Sequence, residues 1–366
     1  MKLKKTLIVS SEFPPEPGGI GNHAYNLAKY LQQNNFEITV VSDQRLRNNK
    51  IERDYDKNLS FKVIRTKLRK YRAFMYVIRV FQIFKEIRKN DIIIATGKFS
   101  LLIVSFSTLF YKKKNIAIIH GSEVNFKKRI LKKAIDTSLR KFHRIIAVSN
   151  YTKSLIDNLG LLNIKVICNG FELDKSTIVN DTKKIKGYPS LITVGSVSQR
   201  KGQQNIIYAL PEIIRKYPNV HYHIVGKPIE KAKNIKIANE LNVSDYITFY
   251  GIVSEKEKID LLSRSNIFMM LSENTLEGDV EGFGIALLEA NYLGIPSIGA
   301  KNCGIEDAIQ NNKSGILVNN KNKDEIVRAI ETILEDYPNY VIRSKKWALS
   351  FTWDKVIKKY IKTLDF

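Results

Sequence analysis

Short apolar runs alternate with helically periodic stretches along nearly the whole chain, and no other feature restricts the fold as strongly. In the first half these runs are residues 6–10, 36–42, 61–64, 92–95, 116–119, 145–148 and 165–168. Between the first two, Ala24, Leu27, Ala28 and Leu31 recur at helical spacing. The second half repeats the scheme with runs at 191–194, 221–225, 247–249, 267–270, 296–298 and 315–318. Runs this short and this apolar suit strands covered on both faces, and helices between them imply βαβ units and parallel sheets. One hydrophobic core stops growing at about 250–300 residues, so a chain of 366 residues is expected to hold two domains. Residues 171–190 turn polar and lose periodicity, which predicts a linker. The expected fold class is α/β, with two Rossmann-like, doubly wound parallel-sheet domains facing a cleft. Ligands are expected at the carboxyl ends of the strands.

Composition narrows the field. Cys168 and Cys303 are the only cysteines and show no paired spacing, which argues against a disulfide framework or a zinc site. The opening residues 1–10 have too short an apolar run for a leader and read as the first buried strand. The net charge of +24 is uneven: residues 1–180 hold 34 Lys and Arg against 14 Asp and Glu, whereas residues 181–366 hold 26 against 22. A basic half suggests an anionic partner, although a lysine-rich compositional bias gives the same excess. No zinc-finger, RNA-recognition or helix-turn-helix pattern supports nucleic acid. Residues 70–89 and 126–144 are basic stretches interleaved with apolar residues (Phe74, Val77, Ile78, Phe81 and Phe84 in the first; Ile130, Leu131, Ile135 and Leu139 in the second). Each reads either as a helix with one face on the sheet or as a helix lying on an anionic membrane. The apolar run 99–111 is too short to span a bilayer and reads as a buried helix, or else as a monotopic contact.

Three segments suit a phosphorylated ligand. Pro17-Gly18-Gly19-Ile20-Gly21 lies between the first strand and first helix, where a backbone without side chains and a helix N-terminus can meet phosphate. Its spacing is not the dinucleotide pattern, and Asp43 is the only acidic residue near the expected distance. Arg200-Lys201-Gly202 follows the first strand of the second half and offers two cations. Glu281-Gly-Phe-Gly-Ile-Ala-Leu-Leu-Glu289 places glycines at a helix start between two carboxylates. Carboxylates beside an anion site are costly unless they hold hydroxyls, as on a sugar and a ribose. Taken singly, Glu281 can be a favourable charge at a helix N-terminus and Glu289 a solvent-facing helix residue.

These segments occur in order with His120-Gly-Ser-Glu123, Ala147-Val-Ser149, Cys168-Asn-Gly170 and Val194-Gly195. Together they resemble the family-4 retaining glycosyltransferases (glycosyltransferase group 1), which have the GT-B fold. The resemblance spans nearly the whole chain, and the two glutamates eight apart are its most specific part. It implies an N-terminal acceptor-side domain (1–175), a C-terminal nucleotide-sugar domain (187–348) and a closing helix (349–366) that returns to the first domain. It also implies roles. The Gly19 amide would contact the donor β-phosphate, and His120 would lie near the donor sugar. Lys201 would neutralise the leaving diphosphate. Glu281 would hold a donor-sugar hydroxyl, with the backbone of Phe283, Gly284, Ile285 and Ala286 near sugar and phosphates. Glu289 would hold the ribose, and Val253 would lie near the base.

One position departs from the family pattern. Ser196 stands where the family has an arginine that pairs with the later lysine, and Arg200 is the candidate replacement. The implied reaction moves a hexose-type sugar from a UDP- or GDP-linked donor to a hydroxyl of a glycan or lipid-linked precursor, with retained configuration. Developing charge would be stabilised by preorganised groups. With no Asp-x-Asp pair in a suitable context, neither a metal nor a cofactor beyond the nucleotide sugar is expected. The expected setting is the cytoplasm, at the inner face of the plasma membrane, in cell-surface polysaccharide synthesis. The alternatives are another GT-B enzyme, such as a nucleotide-sugar epimerase or sugar-phosphate synthase, and an anionic-polymer-binding protein.

Overall fold

The structure, a computed structural model, describes residues 3–16, 18–173 and 185–364; Pro17 and most of the expected linker lie outside these. The chain forms two compact units, Met1–Gly170 with Trp353–Phe366, and Phe171–Thr352.

The first unit runs β1 (Lys4–Ser10), α1 (Gly19–Gln33), β2 (Phe36–Asp43), α2 (Asn49–Lys57), β3 (Lys62–Thr66), α3 (Arg72–Ile87), β4 (Ile92–Thr96), α4 (Lys98–Ser107), β5 (Lys114–Ile119), α5 (Arg129–Leu139), β6 (Arg144–Ala147), α6 (Asn150–Ser154) and β7 (Ile164–Val166). Among the described residues its sheet has seven strands in the order β3-β2-β1-β4-β5-β6-β7, paired in parallel throughout. Helices cover both faces, so the central strands carry consecutive apolar residues: Leu7, Ile8, Val9, Ile94 and Ile118 are fully buried. The α1 face expected from its spacing, Ala24, Leu27, Ala28 and Leu31, is fully buried too.

The second unit runs β8 (Ser190–Val194), α7 (Gln203–Lys216), β9 (His221–Val225), α8 (Lys231–Glu240), β10 (Ile247–Gly251), α9 (Glu255–Ser263), β11 (Ile267–Met270), α10 (Ile285–Tyr292), β12 (Ser297–Ala300), β13 (Gly315–Val318), α11 (Lys323–Glu335) and α12 (Tyr337–Ala348). Its six parallel strands are ordered β10-β9-β8-β11-β12-β13 among the described residues. Both sheets reverse strand order beside their first strand, at β1/β4 and at β8/β11. Loops leaving the carboxyl ends of such a pair diverge to opposite faces and leave a crevice open to ligand.

The two apolar stretches of the first unit divide between inside and outside. The apolar residues of α3 do not all face the sheet. Met75, Arg79, Ile83 and Ile87 are buried, whereas Phe74, Val77 and Phe81 are exposed. Apolar residues occupy more than one side of α3, and the side with Met75, Ile83 and Ile87 packs on the core, which leaves Phe74, Val77 and Phe81 outside. Arg79 on the inner side bonds the Asp43 carboxylate at 2.7 Å and lies over the Phe99 ring. The run 99–111 is likewise only half buried, with Leu101 and Val104 inside but Phe106, Leu109 and Phe110 exposed. Among the described residues, no helix is long and apolar enough to cross a membrane.

The last helix, α13 (Trp353–Leu364), belongs to the first unit. Its apolar residues Trp353, Val356, Ile357, Tyr360 and Leu364 follow helical spacing and are buried. The Trp353 indole stacks on Tyr30 of α1, and the Tyr360 hydroxyl meets His23 Nε2 at 2.9 Å. Gly170 is needed here because a Cβ would lie 2.8 Å from the indole. Trp353→Ala is expected to cost the first unit about 3–5 kcal/mol, as for other buried aromatic truncations. A fall in the urea midpoint of its unfolding transition measures this, and an unchanged midpoint would refute the anchoring role of α13.

Candidate functional site

The strand-order reversal of the second unit carries a charged cluster. After β8 the chain passes Gly195 and makes a single 3-10 turn, Gln199–Lys201, before entering α7. The turn must close tightly against the end of β11. Gly202 has φ +75°, and a Cβ there would lie 1.8 Å from the Leu271 carbonyl oxygen. This approach fixes where Arg200 and Lys201 emerge. From the other side, the segment after β11 brings in Glu281, whose carbonyl accepts from Gly304 N at 2.9 Å. Lys201 Nζ lies 2.9 Å from Glu281 Oε2, and Arg200 Nη1 bonds the same oxygen. Two cations therefore share one carboxylate oxygen.

Glu281 and Lys201 are largely withdrawn from water, and Arg200 is half-buried. Burial would raise the Glu281 pKa, but the Lys201 and Arg200 charges outweigh it and hold the carboxyl below its usual range. Burial lowers the Lys201 pKa, and Glu281 opposes that shift only in part. Removing one member of a buried pair leaves the other uncompensated, typically at about 3–5 kcal/mol. Nearby, burial pushes the Cys303 thiol up to about 12, as expected of an inert buried thiol.

Gly284 is the N-cap of α10, with φ +89°, and no side chain caps that helix. Its first amides, at Ile285 and Ala286, thus present the positive end of the helix dipole. The Phe283 side chain is buried near Phe351, with ring centroids 5.9 Å apart, so Phe283 has its backbone to offer. Glu289 is not a solvent-facing helix residue. Lys258 of α9 bonds its Oε2 at 3.0 Å. Burial would lower the Lys258 pKa, but Glu289 and Glu255 together raise it, so Lys258 stays a cation beside Glu289. Val253 is half-buried in the loop before Ser254, which caps α9 by accepting from Glu257 N. A depression of about 420 Å³ lies in the same unit, lined by Gln199, Tyr208, Lys233 and Glu273, but neither Lys201 nor Glu281 lines it.

The first unit holds the other predicted residues just after β1 and β5. Gly18 is the N-cap of α1, again without a side-chain cap, and Gly19 begins the helix with open space around its Cα. Asp43 is engaged by Arg79, so it is not a ribose ligand of the dinucleotide kind. His120 follows β5, with Nε2 2.9 Å from Thr96 Oγ1 and its backbone N–H donating to Glu123 Oε1. Its ring partner is therefore the Thr96 side-chain hydroxyl. Its ring lies 5.1 Å from that of His23. The structure thus gathers Arg200, Lys201 and Glu281 into one cluster, sets Glu289 with Lys258, and keeps Gly19 and His120 in the first unit. The sequence reading missed Lys258 and His23. The Ser254-x-x-Glu257 capping box marked the α9 start, but no local pattern points Lys258 at Glu289.

Two parallel α/β sheets with ligand-competent reversals are the hallmark of GT-B enzymes, and comparisons agree. HepE from Anabaena, in complex with UDP and glucose, matches with a TM-score of 0.78 and 18% identity over 99% of each chain. Sucrose-phosphate synthase from Thermosynechococcus elongatus matches with a TM-score of 0.80 and 15% identity, over 99% of this chain and 98% of that one. The family model described as Glycosyltransferase Family 4 matches residues 17–175, and that described as Glycosyl transferases group 1 matches residues 174–347. The chain belongs to the family-4 glycosyltransferases. A GDP-mannose-dependent alpha-(1-6)-phosphatidylinositol monomannoside mannosyltransferase of Mycobacterium tuberculosis is 23% identical, over 98% of this chain and 97% of its own. A GDP-mannose-dependent mannosyltransferase of Corynebacterium glutamicum, acting on the monoacylated monomannoside, is 26% identical over 91% and 89%.

The His120–Glu123 turn generates a pH prediction. Burial pushes the Glu123 carboxyl up to about 7, against backbone hydrogen bonds that lower it. Burial pushes His120 down to about 4 and lowers His23 as well, with His120 adding to that effect. Between pH 4.5 and 7 the folded state keeps a Glu123 proton that the unfolded chain has released, so this group's stabilisation fades as pH rises. Between pH 4 and 6.5 the folded state lacks a His120 proton that the unfolded chain holds, so stability grows with pH. The two slopes oppose each other, and Glu123→Gln removes the first. The variant's melting temperature should climb more steeply from pH 4 to 6.5 than that of the parent; parallel profiles would contradict a buried, protonated Glu123.

Proposed function

We propose that this glycosyltransferase moves a hexose-type sugar, with retained configuration and without a metal, from a UDP- or GDP-linked donor to a hydroxyl of a glycan or lipid-linked precursor. The setting is the inner face of the plasma membrane, in the synthesis of cell-surface polysaccharide or glycolipid. One observation carries this reading. Arg200 and Lys201 converge on a single oxygen of Glu281, so two cations meet one carboxylate. A buried cluster with surplus positive charge is stabilised by an incoming anion, and the uncapped α10 N-terminus adds amides for the same anion.

In the proposed reaction the bond between the anomeric carbon and the diphosphate oxygen breaks, and negative charge grows on the leaving group. Lys201 and Arg200 neutralise that charge, and the Ile285 and Ala286 amides share it. Arg200 serves as the second diphosphate cation, in place of the side chain that Ser196 lacks. Both cations use Glu281 Oε2, so Oε1 is assigned to a donor-sugar hydroxyl. Glu289, held in place by Lys258, takes the ribose hydroxyls, and Val253 borders the base. On the first unit the Gly19 amide is assigned to the β-phosphate and His120 to the donor sugar. The acceptor hydroxyl attacks the face that the leaving group vacates, and its proton passes to the departing diphosphate. Two cations at the leaving group supply the charge that a divalent metal would otherwise provide. The names of the actinobacterial relatives, with a GDP-mannose donor and a lipid-borne acceptor, support a donor and acceptor of these classes, as does the UDP and glucose bound by HepE.

A panel of UDP- and GDP-hexoses, with and without lipid-linked or oligosaccharide acceptors, tests the reading through release of free nucleoside diphosphate. Lys201→Ala and Arg200→Ala should each lower kcat by about 100- to 1000-fold, the scale of losing a preorganised charge stabiliser. Glu289→Ala should act mainly on the donor KM. EDTA should leave the rate unchanged, and the anomeric NMR coupling of the product should match that of the donor. Absence of nucleotide release with every donor, slow hydrolysis included, would refute the proposal.

A further inference from the structure

The outward stripe of α3 is continuous with a larger apolar surface. Phe74, Val77 and Phe81 lie at helical spacing on one side, and Phe81 is 73% exposed. One turn on, the half-buried Phe84 ring lies 6.2 Å from Phe106 and 5.8 Å from Phe110, and those two rings are 5.5 Å apart. Phe110 is 61% exposed and Leu109 stands beside it, 63% exposed. Phe106 then forms a wall of a groove of about 470 Å³ between α4 and α5, lined also by Leu102, Ile130, Ala134, Lys133 and Lys141. Ile130 at this groove is 89% exposed. The surface therefore runs unbroken from α3 across α4 to α5.

Its charge setting selects the partner. Residues 67–141 hold 19 Lys and Arg against 4 Asp and Glu. Two of those four, Glu86 and Glu123, are buried. Lys67, Arg69 and Lys70 are exposed immediately before α3, and Lys127, Lys128 and Arg129 are exposed where α5 begins. A second copy of the same face would be repelled by this excess. An apolar, aromatic patch in a field of lysine and arginine matches a bilayer with an anionic headgroup layer. Aromatic rings there settle at the interface while cations meet lipid phosphates.

We infer that the α3–α4–α5 face of the first unit seats this enzyme on an anionic lipid bilayer, with Phe74, Phe81, Phe106 and Phe110 entering the interface and the α4–α5 groove receiving an acyl chain. This deepens the membrane setting proposed above. Its geometry is independent of the sugar-transfer chemistry.

Vesicle sedimentation tests it with the full-length protein. Vesicles of phosphatidylcholine alone and of phosphatidylcholine with phosphatidylglycerol are compared at about 0.05 M and about 0.5 M salt, which spans strong and weak screening. The expected result is binding to the phosphatidylglycerol vesicles at low salt that weakens as salt rises. The pair Phe74→Ser with Phe81→Ser should lower partitioning by about tenfold or more, because the apolar anchor is lost while the charge remains. The pair Lys70→Glu with Lys128→Glu should lower it as well. Phe81→Trp and Phe106→Trp report insertion directly, through a blue shift and quenching by lipids that carry a spin label on the acyl chain. Circular dichroism and nucleotide release from the donor without acceptor verify that each variant is folded. Nucleotide release tests the transferase, whereas the vesicles decide the surface. The inference is overturned by any of three results. These are no binding to anionic vesicles at low salt, binding that the phenylalanine pair does not alter, or binding of a single-stranded oligonucleotide, but not of vesicles, that the same variants abolish.

Discussion

A parallel strand in the middle of a sheet has neighbours on both edges and helices on both faces, and every crossover must return over the sheet to start the next strand. This leaves the carboxyl ends of the strands as the place where loops are free to vary. Where strand order reverses, two successive loops leave in opposite directions. Both units meet this constraint, at β1/β4 and at β8/β11. The two cations, Glu281 and the α10 amides depend on it. The Gln199–Lys201 turn leaves β8, the segment with Glu281 and Gly284 follows β11, and the Gly202–Leu271 approach fixes the distance between them.

Within that frame, electrostatics explains why the site is built from so few groups. Arg200 and Lys201 are held by the Glu281 carboxylate, so in the proposed reaction the cations are in place before an anion arrives. Preorganisation of this kind is effective because nothing needs to reorient as charge develops. Lys258 does the same for Glu289 from a neighbouring helix. Burial supplies the remaining tuning. It keeps Cys303 protonated, His120 neutral and Glu123 near neutrality.

The first unit shows how a helix with apolar residues on two sides divides them. Met75, Ile83 and Ile87 of α3 pack inward with Arg79, which bonds Asp43. Phe74, Val77 and Phe81 face outward, beside the lysine-rich starts of α3 and α5. The same unit takes back the end of the chain, where Trp353 and Tyr360 pack on α1.

Local pattern alone determined much of this protein. Strand positions, parallel pairing and the α1 face follow from short apolar runs separated by amphipathic helices, because covered strands tolerate no polar alternation. The glycine turns and the Glu281–Glu289 spacing were legible for a related reason, since a helix start is marked by residues adjacent in sequence. Tertiary structure alone decided the pairings across sequence distance. Arg200 reaching Glu281, Lys258 reaching Glu289 and Arg79 reaching Asp43 join residues 31 to 81 positions apart. A side chain's partner in such pairs is set by where two loops or helices converge, which hydrophobic periodicity does not encode.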